Sequence, residues 1–156
     1  MSLGGPASQT LAAAARTAWA RGGRGGSLLV AAAGNDGDGS IEYPAGLEEV
    51  ISVAAVGRSD TLADFSNHNA DVEIAAPGVD ILSTKLGGGY IRHSGTSMAT
   101  PHVAGAAALL WGRHPRSTAA TIRERLDEAV LDLGAAGRDD GFGLGRLDLA
   151  KADWQR

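Results

Sequence analysis

At 156 residues the chain is long enough to bury about 70% of the surface its unfolded form would expose, so size permits a single independent core. Its 44% hydrophobic content is mostly alanine, valine and leucine, with only 4% aromatic residues, which suits a core of small, closely packed side chains. A net charge of -4 with interspersed signs gives no basic stripe for nucleic acid and no cationic helix for a membrane, and the absence of cysteine excludes disulfides and thiolate metal sites.

The first residues, Met1-Ser2-Leu3-Gly4-Gly5-Pro6, carry no charged region followed by an apolar run, and no stretch reaches the roughly 18 apolar residues of a membrane span. No export signal is therefore expected in the chain as written, and the compartment stays open. Ser8 is placed to cap a helix over residues 9–21, with Leu11, Ala14, Ala15, Ala18 and Trp19 as its buried stripe and Gly22-Gly23 as its stop. Residues 27–33 form a short apolar run halted by Gly34-Asn35-Asp36-Gly37, which predicts a strand covered on both faces. A β-branched run over residues 50–56 predicts a second strand of the same kind.

Beyond it the pattern changes. Residues 81–85 and 90–92 flank Gly87-Gly88-Gly89, the signature of an antiparallel hairpin that delivers the chain to Gly95. Residues 97–113 are apolar or small on every side, so they predict a helix at the centre of the domain. Pro101 fits that helix if it lies in the first turn, where an amide has no intrahelical partner. Ser117 is expected to cap a last, amphipathic helix that buries Ile122, Leu126, Ala129 and Val130 and turns Arg123, Glu124, Arg125 and Asp127 to water. With no internal repeat and no linker, the whole chain, 1–156, reads as one α/β unit.

The run Gly95-Thr96-Ser97-Met98-Ala99-Thr100-Pro101-His102-Val103-Ala104-Gly105 puts a serine where a glycine turn enters a buried helix. Unpaired amides and the positive end of the helix dipole would stabilise an oxyanion forming at Ser97. The same position also suits a plain N-cap. The full eleven-residue run resembles the nucleophile motif of subtilisin-like serine proteases at every position. Ala31-Ala32-Ala33-Gly34-Asn35-Asp36, Tyr43-Pro44-Ala45, Ala75-Ala76-Pro77-Gly78 and Gly143-Leu144-Gly145-Arg146-Leu147-Asp148 are similar to further segments of that family, in its order.

The resemblance implies the C-terminal half of a subtilisin-like domain: a three-layer α/β fold with a mainly parallel sheet, a buried helix after the nucleophile, and an antiparallel hairpin. It implies that Ser97 attacks the scissile carbonyl and that Asn35 and the Ser97 amide hold the oxyanion. Ser2, Leu3 and Gly4 would pair with an extended substrate, and Ala32, Ala33 and Gly34 would wall the pocket for the side chain preceding the cleaved bond. Such small walls are expected to admit large apolar side chains.

The family's aspartate and histidine precede the substrate-binding strand, and neither of their segments occurs here. His102 lies about 140° around the helix from Ser97 and is expected to be a hydrogen-bonded core residue. His93 is assigned to the substrate edge or the surface, and His68 and His114 to solvent. Losing the other half is expected to bare one side of the central helix, so that the isolated chain self-associates or is partly unfolded. Relatives often bind calcium, mainly outside this segment. The glycine and aspartate run after Asn35 fails the EF-hand register, Gly141-Phe142-Gly143 lacks a dinucleotide fingerprint, and no metal or cofactor is expected. The resemblance thus points to a serine endopeptidase acting on peptides or proteins, inactive without its aspartate and histidine. The alternative is a non-catalytic peptide-binding or regulatory fragment of the same fold.

Overall fold

The computed structural model of the chain describes residues 1–23 and 25–154. Helix α1 spans Gln9–Arg21, with the Ser8 hydroxyl accepting from the Leu11 amide at 3.4 Å. Only Ala15 of its expected stripe is fully buried; Leu11, Ala18 and Trp19 are half-covered and Ala14 is exposed. The helix therefore lies against the sheet along a narrow line, Ala15 meeting Ala31, Ala45 and Val50.

Strands β1 (Leu29–Ala32), β2 (Val50–Val56) and β3 (Val72–Pro77) run parallel, and β3 continues through β7 (Arg146–Leu147) to β6 (Val130–Leu131), the last pair antiparallel. Every residue of β2 is buried, as an apolar run with no alternation requires. Ile51, Val53 and Ala55 face the main core, while Ala54 and Val56 pack with Val72 and Ala75 on the opposite side. Strands β4 (Ile81–Thr84) and β5 (Tyr90–His93) form the expected hairpin, pairing Ile81 with His93 and Thr84 with Tyr90.

Helix α2 (Thr96–Arg113) crosses the three parallel strands and buries Val103, Ala106, Ala107 and Leu110. Pro101 falls a turn later than expected, in the second turn. Its missing N–H is the one that would have bonded the Ser97 carbonyl, and that carbonyl instead accepts the Ser2 hydroxyl at 2.9 Å. Helix α3 (Ala119–Glu128) packs on α2 through Ile122 and Leu126. Its cap is Thr118, not Ser117: the Thr118 hydroxyl accepts from the Thr121 amide at 3.2 Å, while the Ser117 carbonyl is taken by the Trp111 indole at 3.0 Å. Of its expected stripe, Val130 is only half-buried, because it has left the helix for β6.

An ion pair ties α3 to the sheet. Glu73, buried in β3, receives two parallel hydrogen bonds from the Arg123 guanidinium, one of 2.7 Å from Nε to Oε1 and one from Nη2 to Oε2. Arg123 also donates to the Glu48 carbonyl at 2.7 Å and lies over the Trp19 ring, 5.6 Å from its centroid. Asp127 lies beside this pair with Oδ1 lacking a hydrogen-bond partner among the described residues. Loss of water, then the charge of Glu73, pushes its carboxyl up to about 7.

Candidate active site

Ser97 is the second residue of α2, so its amide has no partner within the helix. The chain enters through Gly95, whose φ of 156° lies outside the range favoured by other residues and whose amide donates to the Gly78 carbonyl at 2.8 Å. The end of β3 thereby fixes where the helix begins.

Asn35 reaches the same place from the other side, on the loop after β1. Its Oδ1 accepts from the Thr96 amide at 2.8 Å and lies 3.0 Å from the Thr96 hydroxyl. That hydroxyl also lies 3.2 Å from the Gly34 carbonyl and accepts from the Gly34 amide at 3.3 Å. With Oδ1 committed to the residue before Ser97, the carboxamide plane is fixed and Nδ2 is the donor left over.

The loop is held from behind by Asn67, which is wholly buried. Its Oδ1 accepts from the amides of Asp36 (2.7 Å) and Gly37 (3.2 Å), and its Nδ2 donates to the Ser40 carbonyl at 3.1 Å. Gly34 has a φ of 117°, and a methyl group there would stand 2.2 Å from Asn67 Nδ2, so only glycine allows this approach. At the far end of the loop, hydrogen bonds from Ser40 hold the Asp38 carboxyl below its ordinary value. Asn67 and Thr96 are absent from the sequence-based site. A lone asparagine in a polar loop carries no periodic signal, and Thr96 stood out only as one letter of the serine motif.

Leu3, Gly4, Ala32, Gly34, Asn35 and Ser97 line one pocket of about 270 Å³, together with Asp36, Glu42 and Thr96. Ser2 lies outside that lining but touches the site through its bond to the Ser97 carbonyl. Ala33 does not reach the pocket: it is buried, its amide donates to the Val53 carbonyl at 3.0 Å, and it packs with Ala54 and Val56 on the opposite sheet face. Met1 lies beside β1, its carbonyl accepting from the Ala32 amide at 3.1 Å and its amino group donating to the Val30 carbonyl.

No histidine is among the lining residues. His102 is exposed, not a core residue, and its Nδ1 meets the Met98 carbonyl at 2.9 Å. Its side chain escapes burial because it lies on the outward face of α2. His93 is exposed on β5, and His68 is exposed. His114 is half-buried where solvent was expected, its Nε2 3.1 Å from the Asp153 carbonyl. Among the described residues no group of three or more acidic, histidine or cysteine side chains could hold a metal, and no helix is long and apolar enough to cross a membrane.

A serine at a helix mouth, a carboxamide fixed against the preceding residue, and a pocket between them are the parts that acyl transfer needs. The model of the subtilase family matches residues 1–145. The chain belongs to the subtilase family. It is 47% identical over 123 residues to the minor extracellular protease Epr of Bacillus subtilis, covering 78% of this chain and 19% of that protein. It is 44% identical over 138 residues to subtilisin amylosacchariticus from Bacillus subtilis subsp. amylosacchariticus, covering 86% of this chain and 35% of that one. Among solved structures, the subtilisin-like protease Apa1 of Pseudoalteromonas sp. AS-11 superposes with a TM-score of 0.88 at 23% identity, covering 97% of this chain and 68% of that protein, which shows the shared fold. The chain spans 19% to 50% of the length of the curated subtilases it matches. The fold is the subtilisin-like α/β fold, and the family is one of serine endopeptidases, hydrolases of peptide and protein substrates.

Proposed function

We propose that residues 1–156 supply the nucleophile and oxyanion half of a subtilisin-like endopeptidase site, completed by an aspartate and a histidine from outside this segment. The observation that carries the reading is the 2.8 Å hydrogen bond from the Thr96 amide to Asn35 Oδ1, beside a pocket that Ser97 and Asn35 both line. Ser97 Oγ attacks the carbonyl carbon, and its proton passes to the supplied histidine. The resulting oxyanion accepts hydrogen bonds from the Ser97 amide and Asn35 Nδ2, donors that meet full charge only in the transition state. Leu3 and Gly4 run beside the pocket, where an extended peptide can lie along them.

The test is complementation. A polypeptide carrying the aspartate and histidine segments of a related subtilase is mixed with this chain, and hydrolysis of a labelled peptide is followed. Turnover that disappears with Ser97→Ala supports the reading; no turnover at any ratio of the two halves defeats it.

A second reading is a peptide-binding module without hydrolysis, favoured by the position of all four histidines outside the pocket lining. It requires equal peptide affinity in wild type and Ser97→Ala and no turnover when the second half is supplied.

A further inference from the structure

The pocket beside Ser97 holds one group that the small walls do not account for. The Glu42 side chain lies against both the wall at Gly34 and the neighbouring Leu3-Gly4 segment. A methyl group on Gly4 would stand 2.7 Å from Glu42 Oε2, and one on Gly34 would stand 3.0 Å from Glu42 Cγ. The backbone around Glu42 is fixed, since the Tyr43 amide donates to the Gly5 carbonyl at 3.0 Å and the Glu42 carbonyl accepts from the Gly46 amide at 2.9 Å. Among the described residues, the Glu42 carboxylate has neither a hydrogen-bond nor an ion-pair partner. Asp36 adds a second carboxylate to the lining, and no lysine, arginine or histidine lines the pocket to balance them.

On the endopeptidase reading given above, we infer that Glu42 makes this pocket select a lysine or arginine as the residue preceding the cleaved bond. An apolar side chain filling the space would strip water from a half-buried carboxylate and return no hydrogen bond. A guanidinium or ammonium group brings its own donors and forms a charge-assisted pair in their place. Discrimination therefore comes from a penalty on the wrong side chain as much as from attraction of the right one. The apolar preference that small walls alone would give is overridden by this carboxylate.

Fluorescent peptides identical except for their C-terminal residue resemble the acyl product of cleavage, so they place that residue in the pocket without turnover. Their binding to the wild-type chain, alone and combined with the aspartate and histidine donor, is measured by polarisation. Peptides ending in arginine or lysine are expected to bind about 10- to 100-fold tighter than those ending in phenylalanine or leucine, with the ratio shrinking as salt rises. Glu42→Gln is expected to collapse the ratio towards one and Glu42→Lys to favour a glutamate peptide, with circular dichroism checking that each variant is folded. Phenylalanine or leucine binding as tightly as arginine overturns the inference, as does no binding of the arginine peptide at millimolar concentration or a ratio that survives Glu42→Gln. These results are separate from hydrolysis. A basic preference in binding with no Ser97-dependent turnover defeats the endopeptidase reading and keeps the pocket's selectivity, whereas turnover without that preference does the reverse.

Discussion

The two faces of α2 are made of the same kinds of residue and meet opposite fates. On the inner face Val103, Ala106, Ala107 and Leu110 are buried under the parallel strands and α3. On the outer face Ala104, Gly105 and Ala108 are exposed, and Leu109 is 59% exposed. A helix apolar all round is built to be covered all round, so on the proposed endopeptidase reading the outer face is where the segments that bring the aspartate and histidine would sit. The difference separates what folds this chain from what completes it.

A matched pair of substitutions on α2 separates the two faces. Leu110→Ala removes a wholly buried side chain and is expected to cost about 2–5 kcal/mol in urea unfolding, whereas Leu109→Ala, measured at a dilution where the chain is monomeric, should stay within about 0.5 kcal/mol. Equal costs would mean that the outer face is already covered, and sizing chromatography reads that cover. The chain alone is expected to run as an associated species that Leu109→Glu shifts towards monomer; a sharp wild-type monomer peak with a cooperative melt contradicts it.

A buried polar residue sharpens the contrast. Asn67→Ala orphans the Asp36 amide, while the Gly37 amide keeps the Phe65 carbonyl and the Ser40 carbonyl keeps the Asn69 side-chain amide, so a loss of about 1–3 kcal/mol is expected, with a loosened Asn35 loop seen as faster amide exchange at residues 34–40. The smallest effect is electrostatic. Asp127 has a folded-state carboxyl raised from 3.8 to about 7, so the folded chain holds a proton that the unfolded chain releases in that window. Its contribution to stability therefore falls as pH rises from about 4 to 7. Asp127→Asn should flatten that fall and raise the melting temperature at pH 8 by a few degrees, about 2–4 °C, with little change at pH 4. A variant less stable than wild type at pH 8 contradicts the assignment.

What the sequence made legible follows from how each signal arises. Runs without alternation announced β1 and β2, and the triple glycine announced the hairpin of β4 and β5. β3 went unread because Glu73 breaks its apolar run, and that charge is admissible only because Arg123, fifty residues later, meets it. β6 and β7 are two residues each, too short for any period. At the site, Ser97 and Asn35 were legible through the family motif. Asn67, Thr96 and Glu42 act through distances between separate loops, which no local pattern records. Ala33 was misplaced in the pocket wall because adjacent strand residues point to opposite faces, and only the register tells which one faces the pocket.

On the proposed reading Ser97 is the nucleophile, facing an oxyanion site made with Asn35. That assignment is tested most directly by treating the complemented protein with a fluorophosphonate ester and locating the adduct by mass spectrometry. One adduct on Ser97, formed about 100- to 1000-fold more slowly in Asn35→Ala, is the predicted result. Labelling of a different serine, or peptide hydrolysis that persists in Ser97→Ala, contradicts it.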